Sequence, residues 1–244
     1  MAVPLVAIAA GLLIARPFGE EDARSDGPPP TRLEAKAQRI EARLEERPDN
    51  ARLLRAATHA WLDAAHDRIS SSRLKGAPIP FPALAHDYRA ALKFWHAFLD
   101  QTGGEASADV AEAIANAYMN LTEIGSRDPA QIEADIAGAV RASQIAGRHI
   151  HDVHTLSPVA IIAYYNGEFD RGERTAGTTL ATAERQVRPA VRQQFVEYRE
   201  SAEVFRRLLR QAKQELRETG RPRLAEPLKV YRSTAELNQD DPTE

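Results

Sequence analysis

The sequence predicts an all-α protein, arranged as an α-solenoid of helical hairpins that ends in a long C-terminal helix. Alanine is abundant and aromatic residues make up only 6% of the chain, a composition that favours closely packed helices over sheets. Apolar residues recur at intervals of three and four, and proline or glycine separates one such stretch from the next. With 244 residues, the chain is long enough for one domain with its own core.

Residues 1–18 are predicted to be a hydrophobic membrane anchor. Positions 2–15 form an unbroken apolar run that is about 21 Å long as a helix, against roughly 30 Å for the core of a bilayer. We therefore expect the written start to lie inside the anchor, with a degenerate signal peptide or a buried N-terminal helix as alternatives. Residues 19–30 are polar and end in three prolines, which predicts an extended spacer.

The apolar run predicts a single-pass membrane protein, but it leaves the side of the soluble domain open. Arg16, Arg24 and Arg32 follow the run, and by the positive-inside rule they favour a cytoplasmic domain. If the written start lies inside the anchor, the number of basic residues before the apolar run is unknown, and the rule cannot be applied. We favour the extracytoplasmic side slightly.

The helical domain is predicted to span residues 31–220. Its first helix begins at a capping box, in which Thr31 precedes Glu34 by three residues. Asp49 or Asn50 caps the second helix, and the small and turn-forming residues at 70–82 predict a long loop after it. The predicted bounds of the next five helices are Pro82 to Gly103, Ser107 to Gly125, Pro129 to Gly147, Pro158 to Asn166, and Phe169 to Val187.

The last predicted helix, 189–219, has the most regular apolar spacing in the chain. Such a seam covers the end of a helical array or pairs with a second copy as a coiled coil, and both interpretations stay open. Residues 221–244 are polar and are expected to form a disordered tail. The seam residues are Val191, Phe195, Tyr198, Ala202, Phe205, Leu209, Ala212 and Leu216.

Several stretches have the features of paired helices that cross at small residues. Gly167-Glu168-Phe169-Asp170 is a short turn between helices, and residues 87–95 place Ala91 and then Trp95 at the spacing of a second helix. These stretches resemble the tetratricopeptide repeat (TPR) family. The matching residues predict three degenerate repeats between positions 48 and 187.

The match to the repeat family departs from its pattern at two points. The small crossing residues Ala57, Ala115 and Ala160 are 58 and 45 residues apart, whereas the repeat is about 34 residues long. Gly172 stands where the family has alanine. The resemblance implies a concave groove lined by the first helix of each repeat, where a protein or peptide partner binds. Candidate groove residues are Arg52, Arg55, His59, Asn116 and Asn120.

Composition and motifs argue against most kinds of catalysis. The chain has no cysteine, which excludes disulfides, thiolate metal sites and cysteine nucleophiles, and its net charge of −3 gives no reason to expect a nucleic-acid partner. It also lacks a glycine-rich phosphate loop, a GxSxG elbow and an HExxH motif. No cofactor is therefore expected.

One cluster could bind a metal ion. His149, His151 and His154 lie within six residues of sequence together with Asp152, but no further ligand is evident elsewhere. The sequence thus favours a non-catalytic, membrane-anchored protein-interaction scaffold or assembly factor. The alternatives are a homo-oligomeric structural protein, joined through the seam at 191–216, and a metal-binding module at the three histidines.

Overall fold

The computed structural model describes residues 31–124, 128–148 and 153–220, and within them it contains eight α-helices and no strand. The all-α prediction is confirmed. The predicted anchor, spacer and tail lie outside the described residues. The helices are α1 (Arg32–Glu46), α2 (Ala51–Leu74), α3 (Phe81–Thr102), α4 (Ala108–Ile124), α5 (Pro129–Ala146), α6 (Val153–Tyr165), α7 (Phe169–Thr182) and α8 (Arg188–Thr219).

Most helix starts are the predicted ones, because a side chain satisfies backbone groups there. Thr31 and Glu34 form the capping box of α1, with the Thr31 Oγ1 accepting from the Glu34 amide at 3.2 Å. Asn50 caps α2 and Asp128 caps α5 in the same way. Gly103 has φ of 64° and ends α3 in the left-handed conformation that glycine adopts without strain.

The predicted loop at 70–82 is wrong over its first half. Helix α2 continues to Leu74, and only residues 75–80 connect it to α3. Ser71 Oγ donates to the Asp67 carboxylate one turn earlier at 3.5 Å. Serine disfavours a helix only weakly, so the helix continues past the three serines.

Two other predicted boundaries are also corrected. Helix α6 begins at Val153, so Pro158 lies inside the helix. The missing amide of Pro158 affects only the first turns, where Ser157 Oγ donates to the Val153 carbonyl at 2.6 Å. Helix α7 ends at Thr182 rather than Val187, because Ala183 is already extended.

Consecutive helices pack as pairs: α2 with α3, α4 with α5, and α6 with α7. Helix α1 covers α2, while α3 contacts α4 and α5 contacts α6, so the pairs are joined in chain order. The residues predicted to lie at helix crossings, Ala57, Ala115 and Ala160, are at most 1% exposed. One continuous apolar core runs through all three pairs.

Helix α8 spans 32 residues and packs mainly on α6, with further contacts to α7 and α5. Its ring of Phe205 meets the ring of Tyr165 edge-on, and Lys213 forms an ion pair with Glu133 of α5 at 2.6 Å. The predicted seam therefore faces the core of its own chain. Six of its residues are buried: Val191, Phe195, Ala202, Phe205, Leu209 and Ala212.

No helix within the described ranges is both long and apolar enough to cross a membrane.

Candidate binding surface

Helices α2 and α4 carry all five predicted groove residues and make a limited contact with each other. Their N-terminal ends are joined by an ion pair between Arg55 Nη2 and Asp109 Oδ2 at 4.0 Å. Both side chains are about half exposed, so water weakens the attraction between them. The pair therefore shows that the two helix ends are close, but it adds little stability. The structure thus brings the N-terminal parts of α2 and α4 close to each other.

On α2, the candidates Arg52, Arg55 and His59 follow one another at helical spacing on one face. Arg52 is exposed and His59 is half-buried. Within the part of the chain that the structure describes, neither side chain has a hydrogen bond or an ion pair. Their donors are therefore available to an external acceptor.

On α4, the two predicted asparagines are one turn apart and both are half-buried. Asn120 Nδ2 donates to the Tyr88 hydroxyl of α3 at 2.9 Å, so part of this amide serves an internal contact. Asn116 has no such partner among the described residues. Asn116 is therefore the freer of the two for recognition.

Glu123 continues the polar face of α4 one turn beyond Asn120, and the sequence analysis missed it. Burial raises the pKa of Glu123 to about 8. Its carboxylate has no hydrogen bond and no ion pair with any residue that the structure describes. The signal was present in the sequence, since Glu112, Asn116, Asn120 and Glu123 recur at four, four and three residues along a helix whose other faces are apolar.

Three tyrosines from three other helices are buried and have raised pKa values. Burial is the main cause of the raised pKa of Tyr88 on α3, Tyr165 on α6 and Tyr198 on α8, and nearby charges, among them Glu123, add to it. The Tyr165 hydroxyl is hydrogen-bonded to Ser201 of α8, and Tyr198 to Gln194.

A cleft of about 480 Å³ opens between α7 and α8. Its floor is apolar, and Arg199 crosses it with Nε 3.5 Å from both Glu173 and Glu203. Burial raises the pKa of Tyr164, also in the lining, to about 12. Of its charged side chains, Glu173, Arg199 and Glu203 are paired with one another, whereas Arg192 and Glu200 have no ion pair within the residues that the structure describes.

The histidine cluster lies mostly outside the described residues, which exclude His149 and His151. His154 lies in the first turn of α6 and is exposed. Within the described ranges, no three histidine or acidic side chains are grouped so that they could hold a metal ion. The metal-binding alternative stays a prediction from the sequence.

Comparison with protein families, with curated proteins and with solved structures finds no match for this chain. Its function must therefore be argued from its own surface. We call Arg52, Arg55, His59, Asn116 and Asn120 the α2–α4 surface, and among the described residues Arg52, His59 and Asn116 have no hydrogen bond or ion pair.

Proposed function

We propose that this chain is a non-catalytic scaffold or assembly factor whose α2–α4 surface binds a segment of another protein. The observation that supports this proposal is the contact between α2 and α4 at the Arg55–Asp109 pair. By helical spacing, Arg52 and His59 share the face of Arg55, and Asn116 shares the face of Asp109. Unpaired cationic and amide donors on neighbouring helices suit the carbonyl and carboxylate groups of a peptide. A segment of a partner protein has both kinds of group, carbonyls in its backbone and carboxylates in its acidic side chains.

The arrangement in pairs supports a TPR-like interpretation of the fold. The residues that match the family's small crossing positions, Ala57, Ala115 and Ala160, are all buried between helices. The turn after α6 uses Gly167 at φ of 84°, and the rings of Tyr164 and Phe169 stack across it. In arrays of this kind the first helix of each pair lines the binding groove, and here those helices are α2, α4 and α6.

The proposal includes anchoring to a membrane through the apolar run at 2–15 and the proline-rich spacer at 19–30. A single-pass anchor would hold the helical domain near the bilayer, where it would gather partners at one place. Extraction of the full chain from membranes tests this part separately. Release by alkaline carbonate, without detergent, would contradict it.

Quantitative affinity capture with the full chain in detergent tests the binding proposal. The surface variant carries Arg52→Glu and Asn116→Glu. The matched control carries Arg174→Glu and Thr178→Glu, which introduce the same charges at exposed positions of α7. We expect proteins that the native chain and the control retain equally and that the surface variant retains at least about tenfold less. Equal retention by all three chains would refute the proposal.

A further inference from the structure

The end of α2 presents an apolar side chain to solvent. Leu74, the last residue of α2, is 88% exposed, more than any other large apolar side chain among the described residues. It stands between Arg73 and Lys75, which are also exposed, and Gly76 with φ of 59° turns the chain directly after them. Leu74 therefore contributes little to the core of this domain and is available to a surface outside it.

This exposed leucine lies at the end of the domain where residues 1–30 join it. Helices α1 and α2 are antiparallel, because only residues 47–50 connect them and Arg68 Nη2 of α2 lies 3.1 Å from Glu34 in the first turn of α1. Leu74 follows Arg68 by about 9 Å of helix. It is thus on the same side of the domain as Thr31, where the predicted spacer ends.

The same end of the domain carries exposed positive charge. The carboxylates of Glu34 and Asp87 both accept from Arg68, so their charge is already compensated. The remaining carboxylate, that of Asp67, is half-buried and accepts from Ser71 at 3.5 Å. We call the four exposed basic side chains here the basic rim: Arg32, Lys36, Arg73 and Lys75.

A basic rim around an apolar side chain suits the surface of a bilayer that contains anionic lipids. Lysine and arginine close to such a surface are attracted by the headgroups, and a leucine that enters the acyl region is removed from water. The spacer at 19–30 spans at most about 40 Å when fully extended. An anchor at 2–15 would therefore hold this end of the domain close to the bilayer.

We propose that this end of the domain docks on an anionic lipid surface, with Leu74 among the acyl chains and the basic rim on the headgroup phosphates. The inference rests on the anchoring part of the proposed function and adds a second contact that orients the domain. The N-terminal parts of α2 and α4, joined by the Arg55–Asp109 pair, are at the opposite end of α2 and would face away from the bilayer.

Fluorescence from a single label on the full chain, reconstituted in lipid vesicles, tests the inference. The chain has no cysteine, so Ala77→Cys places a nitrobenzoxadiazole label at one exposed position beside Leu74. We expect its emission to rise at least about twofold when about a third of the phosphatidylcholine is replaced by phosphatidylglycerol. Spin labels on the lipid acyl chains should quench this emission.

A label at Glu105→Cys is the matched control. Gln101 Nε2 donates to Asp49 at 3.3 Å, so the end of α3 lies beside the α1–α2 connection, at the opposite end of the domain from Leu74. Glu105 is exposed in the loop that follows α3. Its label should respond neither to phosphatidylglycerol nor to the acyl-chain spin labels.

Variants of the Ala77→Cys chain assign the contact to its residues. Arg73→Gln with Lys75→Gln should remove most of the rise in emission, and Leu74→Gln should reduce the quenching. Arg207→Gln with Arg210→Gln removes the same charge from exposed positions of α8 and should keep both effects.

Three results would overturn the inference. The first is equal emission with and without phosphatidylglycerol, and the second is a rise that Arg73→Gln with Lys75→Gln leaves undiminished. The third is a rise without quenching by the acyl-chain spin labels. In that case the acidic spacer at 19–30, rather than lipid, covers this end of the domain.

Flotation of the vesicles and partner capture separate the inference from the proposed function. A chain that floats with the vesicles while its label at position 77 stays silent overturns only the docking of Leu74. A chain that floats with neither kind of vesicle contradicts the anchoring and the docking together. Arg73→Gln with Lys75→Gln should retain partners as the native chain does, and a loss would place a protein rather than lipid at Leu74.

Discussion

The ring of Tyr164 in α6 lies directly against Gly172 in α7, in the space that a side chain at position 172 would need. Tyr164 is only 1% exposed, so the ring cannot move aside into solvent. This contact explains why glycine stands where the repeat pattern has alanine. The same arrangement occurs one pair earlier, where the ring of Tyr118 in α4 covers Gly138 of α5.

Gly172→Ala should therefore destabilise the fold by about 2 kcal/mol, because the added methyl group overlaps a confined ring. Gly177→Ala is the matched control on the same helix, where nothing lies within 4 Å of the added Cβ. That control should gain about 1 kcal/mol from the higher helix propensity of alanine. Urea unfolding measures both, and a stabilised Gly172→Ala would contradict the contact. In a Tyr164→Val background, Gly172→Ala should cost less than it does in the native chain, because the smaller side chain leaves room for the added methyl group.

Asp87 is fully buried and accepts from Arg68 Nε at 2.8 Å, while Arg68 Nη2 reaches Glu34 at 3.1 Å. Asp87→Ala should cost about 3 kcal/mol, because it leaves a mostly buried guanidinium with one counter-ion instead of two. The control Glu41→Ala breaks the exposed pair with Lys93 and should cost under about 1 kcal/mol. Similar losses for the two variants would refute the bridging role of Arg68.

Stability should fall with pH because of Glu123. The unfolded carboxyl loses its proton near its ordinary pKa, whereas the folded one keeps it up to a pKa of about 8. Between these values the folded state binds more protons, so the free energy of unfolding decreases as pH rises, by at most about 1.4 kcal/mol per pH unit, and levels off above the folded pKa.

Urea titrations from pH 5 to 9 check this prediction. Glu123→Gln cannot ionise, so it should lack the decline and be more stable than the native chain at pH 9. Glu105→Gln, at an exposed loop position, should show the same dependence of the unfolding free energy on pH as the native chain. If Glu123→Gln also shows the pH dependence of the native chain, the Glu123 carboxyl is hydrated in the folded state and the prediction fails.

Leu208 and Leu209 are neighbours in α8 with opposite surroundings, since Leu209 is 1% exposed and Leu208 is 42% exposed. Leu209→Ala should cost about 3 kcal/mol through loss of core packing, and Leu208→Ala under about 0.5 kcal/mol. The loss at Leu209 should not depend on protein concentration, because the seam packs within one chain. A concentration-dependent midpoint would instead support the oligomer predicted as an alternative.

The sequence was sufficient where a local interaction sets the structure. The capping box at Thr31 and Glu34, and the glycine that ends α3, depend on residues three or four positions apart, and both were predicted correctly. The prediction from sequence was wrong at the end of α2 and at the start of α6. There, α2 runs past three serines and α6 contains Pro158, residue types that by local preference favour a break in a helix.

The sequence predicted only part of the candidate surface, because spacing along a helix is a local property. Helical spacing placed Arg52, Arg55 and His59 on one face of α2 and Asn116 and Asn120 on one face of α4. Spacing along single helices says nothing about which helices are neighbours. The Arg55–Asp109 pair and the shielding of Glu123 come from the packing of helices that are far apart in sequence.

By itself, the sequence determined that the described chain is all-α, where most of its helices begin, and that α8 carries a long apolar seam, because periodicity and capping are local properties. Only the tertiary structure decided that this seam packs on α6, that Tyr164 requires glycine at position 172, and that the Glu123 carboxyl is shielded from water. These depend on which side chains share a space. In a helical array that follows from how successive pairs pack on one another.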